Sequence, residues 1–95
     1  MNTEVDFDIE AAAERCGVPS YMVGGIERWI KNGILPGDFL TAVLNNDLKE
    51  ACGRADDVNR RCLFNYIDFF YNYAPSQCWG SPAKVAAWAD ARMTE

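Results

Sequence analysis

The chain has 95 residues, 49% of them apolar and 13% aromatic, a composition that supports one buried core and excludes a disordered or low-complexity chain. Nine Lys and Arg stand against fourteen Asp and Glu, with no histidine and a net charge of −5. The surface therefore repels phosphate backbones at long range, imidazole chemistry is excluded, and a chain of this size has little bulk to surround a deep catalytic cleft.

A 3.6-residue apolar period recurs along the sequence and no alternating strand pattern appears. The prediction is an all-α fold, a compact bundle of about five short helices around a central aromatic-rich helix at about residues 57–73. It forms a single domain over residues 1–95, in which the acidic segment to about residue 8 is free to move. A first helix runs from near Asp8 to Cys16, with Gly17 to end it and Val18-Pro19 forcing an extended exit. Ser20 caps a second helix in which Met22, Gly25, Ile26, Trp29 and Ile30 form one buried stripe, and Gly33 stops it. Pro36-Gly37 makes a tight turn and Asp38 caps the third helix, whose apolar face is Phe39, Leu40, Val43, Leu44 and Leu48. Asn45-Asn46 is the weak point of that face, and Asp47 recaps a short helix ending near Gly53.

The longest helix is expected to start at Asp56 or Asp57 and to run to about Tyr73. On its wheel Arg61, Asn65, Asp68 and Asn72 make a narrow polar strip, while Val58, Cys62, Leu63, Tyr66, Ile67, Phe69, Phe70 and Tyr73 cover the remainder, so neighbours wrap it. Pro75 ends this helix, and Ser81-Pro82 opens a last one with Val85, Trp88 and Ala89 turned inward.

Three constellations are candidates for function. Glu4, Asp6, Asp8, Glu10 and Glu14 all precede the first basic residue, Arg15. This negative pole suits a basic partner, although solubility is the commoner reason for such a surface, and Asp6, Asp8, Glu10 and Glu14 are the residues singled out for partner binding. Phe64 and Tyr71 lie seven residues apart at the edge of the polar strip and are the exposed aromatics expected at a partner interface. Finally, residues Ile9 to Arg28 have the spacing of a helix-turn-helix, which would present Ser20, Tyr21 and Arg28, with Lys31 beyond, to DNA. Gly24 and Gly25 have no side chain to read a base edge, and two bases on an acidic domain supply little phosphate affinity, so direct nucleic-acid binding is not expected and an ordinary αα-hairpin is the plainer reading.

Other motifs have structural explanations. Arg60-Arg61 pairs locally with Asp56-Asp57 at i, i+4. Lys31, Lys49 and Lys84 fall on expected solvent faces, so no nucleophile and base come together, no catalytic residue is assigned, and an enzyme is not expected. Cys16, Cys52, Cys62 and Cys78 are scattered without a CxxC pair, which argues against zinc and for mostly buried thiols; no metal or other cofactor is expected. The acidic N-terminus lacks the basic region of a signal peptide, and no apolar run approaches the roughly eighteen residues of a membrane span, so a cytoplasmic protein is expected.

Gly33, Pro36-Gly37, FLTAVLNNDL from Phe39 to Leu48, Ala55-Asp56 with Asn59, Tyr71-Asn72, Pro75 and Trp79-Gly80-Ser81 together resemble a group of small orphan proteins encoded by tailed bacteriophages, prophages and related mobile elements. The resemblance covers about residues 20–88 and carries no catalytic motif. It implies a small phage-type protein in a bacterial cytoplasm that binds host or phage machinery, for instance by occupying the basic nucleic-acid-binding groove of a defence complex such as a CRISPR effector. The expected function is a non-enzymatic protein-binding module that modulates or inhibits such a complex. A small helix-turn-helix DNA-binding regulator and a structural or assembly factor acting as a homo-oligomer are the alternatives.

Overall fold

Asp8 starts the first helix: its carboxylate accepts the Ala11 N–H at 3.1 Å, and Gly17 ends the helix in the left-handed region at φ 84°. The structure, a computed structural model, describes residues 7–93, and the expected mobile acidic segment lies almost wholly outside the described residues. Seven α-helices build the bundle and no strand occurs among the described residues: α1 Ile9–Cys16, α2 Val23–Asn32, α3 Asp38–Leu44, α4 Leu48–Arg54, α5 Asp57–Arg61, α6 Leu63–Asn72 and α7 Pro82–Met93. Single 3-10 turns at Ser20–Met22 and Ser76–Cys78 lead into α2 and toward α7.

The all-α class is as the periodicity predicts, with local differences. The stretch 57–73 is two helices, because the chain breaks at Cys62 (φ −116°, ψ 24°). There the Val58 carbonyl accepts both the Cys62 N–H at 3.3 Å and the Cys62 thiol at 3.1 Å, so a side chain competes with the helical ladder. Ser20 opens a 3-10 turn and not α2 itself, and Asp38 is the first residue of α3 with Gly37 at the cap position. The Thr41 hydroxyl, one turn in, closes onto the Pro36 carbonyl at 3.1 Å. Leu48 begins α4 and is 66% exposed, because α3 ends at Leu44 and Asn46 turns the chain at φ 61°.

The core is a single cluster in which Trp29, Tyr66, Phe69, Phe70, Ile9, Ile26, Ile30 and Leu44 are buried to within 2% of completely. At about 1.5–3 kcal/mol for each large apolar side chain removed from water, these residues supply the main driving force for folding. Phe39 meets Tyr66 edge-on at 5.2 Å and Phe69 meets Phe70 at 5.1 Å, so the aromatic ring cluster is centred on α6. Neighbours wrap α6 on part of its circumference only: Leu63 and Ile67 are half-buried and Phe64 and Tyr71 exposed, while Val58, on α5, and Tyr73, after the end of α6, are exposed as well.

The last carbonyls of three helices are closed by groups from the C-terminal half. Asn65 Nδ2 donates to the Gly17 carbonyl at 3.1 Å, the Trp88 indole to the Trp29 carbonyl at 3.2 Å, and the Gly80 N–H to the Leu44 carbonyl at 2.7 Å. One residue of the polar strip read on the helical wheel, Asn65, is therefore half-buried against the end of α1.

Candidate partner-binding surfaces

The α1–α2 corner carries the acidic pole. Glu10 and Glu14 are exposed one turn apart on α1, and they rim a cleft of about 250 Å³ whose other walls are Val18, Ser20 and Val23. The corner folds this way because Gly17 takes the left-handed turn and the Val18 N–H donates back to the Ala13 carbonyl at 2.9 Å, turning Val18 inward. Of the four acids singled out in the sequence, Asp8 is committed to capping α1, and Asp6 lies outside the described residues. Glu10 and Glu14 are the two that the structure leaves exposed around a common cleft.

The residues of the helix-turn-helix reading, Ser20, Tyr21, Arg28 and Lys31, are all exposed. Ser20 belongs to the acidic cleft. Tyr21 is 60% exposed, but its hydroxyl donates to Asp56 Oδ2 at 2.9 Å, 35 residues away. The Arg28 guanidinium folds back over its own helix, so that a Cβ on Gly24 would stand 3.3 Å from Nη1 and one on Gly25 3.9 Å from Nη2. Lys31 is exposed in the last turn of α2, three residues beyond Arg28. The glycine pair makes room for Arg28 and for the approach of Pro36 and Leu40 to α2.

A second surface lies on α6. Phe64 is 75% exposed and Tyr71 78%, with half-buried Ile67 between them in sequence. Ile67 also lines an apolar groove of about 30 Å³ with Val43, Ala51, Leu63 and exposed Leu48, so the apolar face continues from α6 toward α4. This placement follows the seven-residue spacing, which sets Phe64 and Tyr71 on one side of a helix whose opposite side, Tyr66, Phe69 and Phe70, is the core.

Asp56 sits in a network that the sequence did not disclose. Its Oδ1 accepts the Asn59 N–H at 2.7 Å and its Oδ2 the Tyr21 hydroxyl, while buried Asn59 accepts the Tyr66 hydroxyl. The Asn59 N–H, and then the Tyr21 hydroxyl, hold the Asp56 carboxyl below its usual range. Desolvation, and secondarily Asp56, push the Tyr21 phenol up. The only sequence signal was an asparagine seven residues before a core tyrosine. The expected i, i+4 pairing of Asp56-Asp57 with Arg60-Arg61 is replaced by one i, i+3 pair, Asp57 to Arg60 at 3.1 Å, because Asp56 is engaged as a cap.

The cysteines are spread over the molecule. Cys78 is buried, Cys16 and Cys62 are partly buried and Cys52 is exposed, so the expected burial holds for some and not for all. Burial pushes the Cys78 thiol up to about 12, and desolvation, followed by Asp68, raises Cys16. Arg54 bridges Glu50 at 2.7 Å and Asp38 at 3.3 Å, which compensates the carboxylates of the α3–α4 cleft. Among the described residues no group of three Cys, Asp or Glu side chains converges as a metal site, and no helix is long and apolar enough to cross a membrane. Comparison with known protein families, curated proteins and solved structures finds no match to the chain.

Proposed function

We propose that the chain is a non-enzymatic protein-binding module of phage or mobile-element type, working in the bacterial cytoplasm to modulate or inhibit a host or defence complex. The observation that carries this reading is the cleft in which Glu10 and Glu14 overhang Val18 and Val23 beside Ser20. Carboxylates above an apolar floor suit a basic protein surface, whose lysine or arginine stems pack on valine while their heads meet the glutamates. A charge of −5 guides such an encounter at long range. The same glutamates stand beside Ser20 at the leading end of the would-be recognition helix, where they repel phosphate and speak against DNA reading.

The test is an affinity pull-down of the tagged protein from bacterial lysate, with and without nuclease, run in parallel with the Glu10→Lys/Glu14→Lys variant. A stoichiometric protein partner that survives nuclease and is lost by the variant supports the reading. Recovery only of nuclease-sensitive material, or a partner that the double variant still retains, overturns it. Asp8 is left unaltered so that the cap of α1 is retained.

A further inference from the structure

Asn32-Gly33 is the one Asn-Gly step in the chain, and it lies where α2 ends. Such a step carries a reaction of its own, because glycine has no Cβ to shield its amide nitrogen from the carboxamide before it. The nitrogen bonds to the side-chain carbonyl carbon and closes a cyclic imide, while the carboxamide nitrogen leaves as ammonia, taking the amide proton. Water then breaks either imide C–N bond and leaves aspartate or isoaspartate, so water is the only co-reactant. The fold blocks the first step. Asn32 is exposed, but it is the last helical residue of α2, and ring closure needs the Gly33 nitrogen in line with the Asn32 Cβ, outside helical ψ. The Gly33 N–H donates to the Trp29 carbonyl at 2.9 Å and the Ile34 N–H to the Arg28 carbonyl at 3.3 Å, bonds that hold the backbone in its unreactive turn.

Helix α7 closes over the same residues. Gly33 is buried, and a Cβ on it would stand 2.6 Å from Arg92 Cβ and 3.2 Å from the Ala89 carbonyl. The Trp88 indole donates to the same Trp29 carbonyl that accepts the Gly33 N–H. We propose that Asn32-Gly33 is a self-modification site gated by α7, closed while α7 is docked on α2 and reactive when α7 lifts away. Local openings of this kind occur without global unfolding, and a slow reaction then follows the open population. The change runs one way. Either acid places a carboxylate at the negative end of the α2 dipole, and isoaspartate also lengthens the main chain by a methylene, which takes Gly33 out of register with Trp29. Time spent with α7 undocked is thereby recorded as a permanent change in the chain. The site follows the last residue of α2 whereas the acidic cleft adjoins its first, so this proposal and the reading of the cleft stand or fall separately.

The test incubates the full chain at mildly alkaline pH and follows each asparagine by peptide mass spectrometry. In denaturing urea Asn32 is expected to convert before Asn45, Asn46 or Asn72, and in the native protein to convert at least about 10-fold more slowly than in urea. Trp88→Phe removes the indole bond that α7 makes to the end of α2, and is expected to speed native conversion about 5- to 30-fold. Asp47→Ala removes the cap of α4 at a similar cost in stability and leaves the seat of α7 intact, so its rate is expected to stay within about twofold of wild type. Hydrogen exchange of the Gly33 amide in the wild type, which needs no variant to fold, is expected to rise in step with conversion as urea is added below the unfolding transition. The converted fraction, separated by its added charge, is expected to exchange that amide faster than the unconverted protein. Native conversion as fast as in urea, a Trp88→Phe rate equal to wild type, or an Asp47→Ala rate equal to that of Trp88→Phe overturns the gate. Equal exchange in the two fractions overturns the one-way release.

Discussion

The indole N–H of Trp88 donates to the main-chain carbonyl of Trp29 at 3.2 Å, and the indole of Trp29 in turn donates to the Cys78 carbonyl at 3.0 Å. The Trp29 carbonyl belongs to the open end of α2 and also accepts the Gly33 N–H at 2.9 Å. Each buried indole therefore satisfies a backbone acceptor while filling the core, and Arg92 covers the outer tryptophan at 4.4 Å from its ring centre.

The two tryptophans differ in what their removal leaves behind. Trp29→Phe strips the buried Cys78 carbonyl of its indole donor and opens space at a fully buried site, so a loss of about 3 kcal/mol is expected. Trp88→Phe leaves the Trp29 carbonyl its bond from Gly33, and the expected loss is about 1–2 kcal/mol. Urea denaturation of both variants checks the order, and equal losses would show that the indole bonds contribute little beyond burial.

Two glycines make opposite predictions. Gly33 sits at φ 71°, and a Cβ there would stand 2.6 Å from Arg92 Cβ and 3.2 Å from the Ala89 carbonyl. Gly33→Ala thus meets both backbone strain and the packed surface of α7, and a loss of more than about 2 kcal/mol is expected. Gly53, inside α4, has nothing within 4 Å of its Cβ position. Gly53→Ala is expected to stabilise by about 0.5–1 kcal/mol. Thermal melts of the pair are the measurement, and a neutral Gly33→Ala would refute the close approach of α7 to α2.

Stability is expected to fall in alkali. Burial holds the Cys78 thiol neutral, pushed up to about 12 from 9.0, and raises the Tyr66 phenol well above its ordinary range. The unfolded chain loses these protons first, so the unfolded state binds fewer protons than the folded one and stability declines as pH rises. The contribution is complete below the unfolded values, about pH 9 for the thiol and about 10 for the phenol. Above them each group removes on the order of 1 kcal/mol per pH unit, for Cys78 until about pH 12. Cys78→Ala is expected to flatten the curve between about pH 9 and 10, where the phenol contributes little. An unchanged slope there would place the thiol in water.

Local chemistry was legible in the sequence. Asp8, Asp47 and Asp56 cap the helices that follow them, and Gly17 and Gly33 stop those before them, because these signals act within four residues. Phe64 and Tyr71 were readable as exposed from helical spacing alone. What escaped depends on distant partners or on competition for one acceptor. Asn65 reads as part of a solvent strip until the Gly17 carbonyl is seen to accept from it, and Tyr21 reads as a groove contact until Asp56 is found beside it. The break at Cys62 comes from a thiol sharing one carbonyl with its own backbone N–H, which no periodicity reports. The charge of the acidic pole is plain in the sequence, but it takes the turn at Gly17 to bring Val18 and Ser20 beside Glu10 and Glu14, and the start of α1 to commit Asp8 to a cap.

The groups that close α1 and α2 reach back across long stretches of chain, 48 residues from Asn65 to Gly17 and 59 from Trp88 to Trp29. During synthesis the first helices therefore leave the ribosome before the side chains that finish them exist. The early nascent chain lacks the contacts that complete α1 and α2 until Asn65 and then α7 emerge. A translation stop ahead of Trp88 thus yields a substrate for proteases and not a smaller working protein.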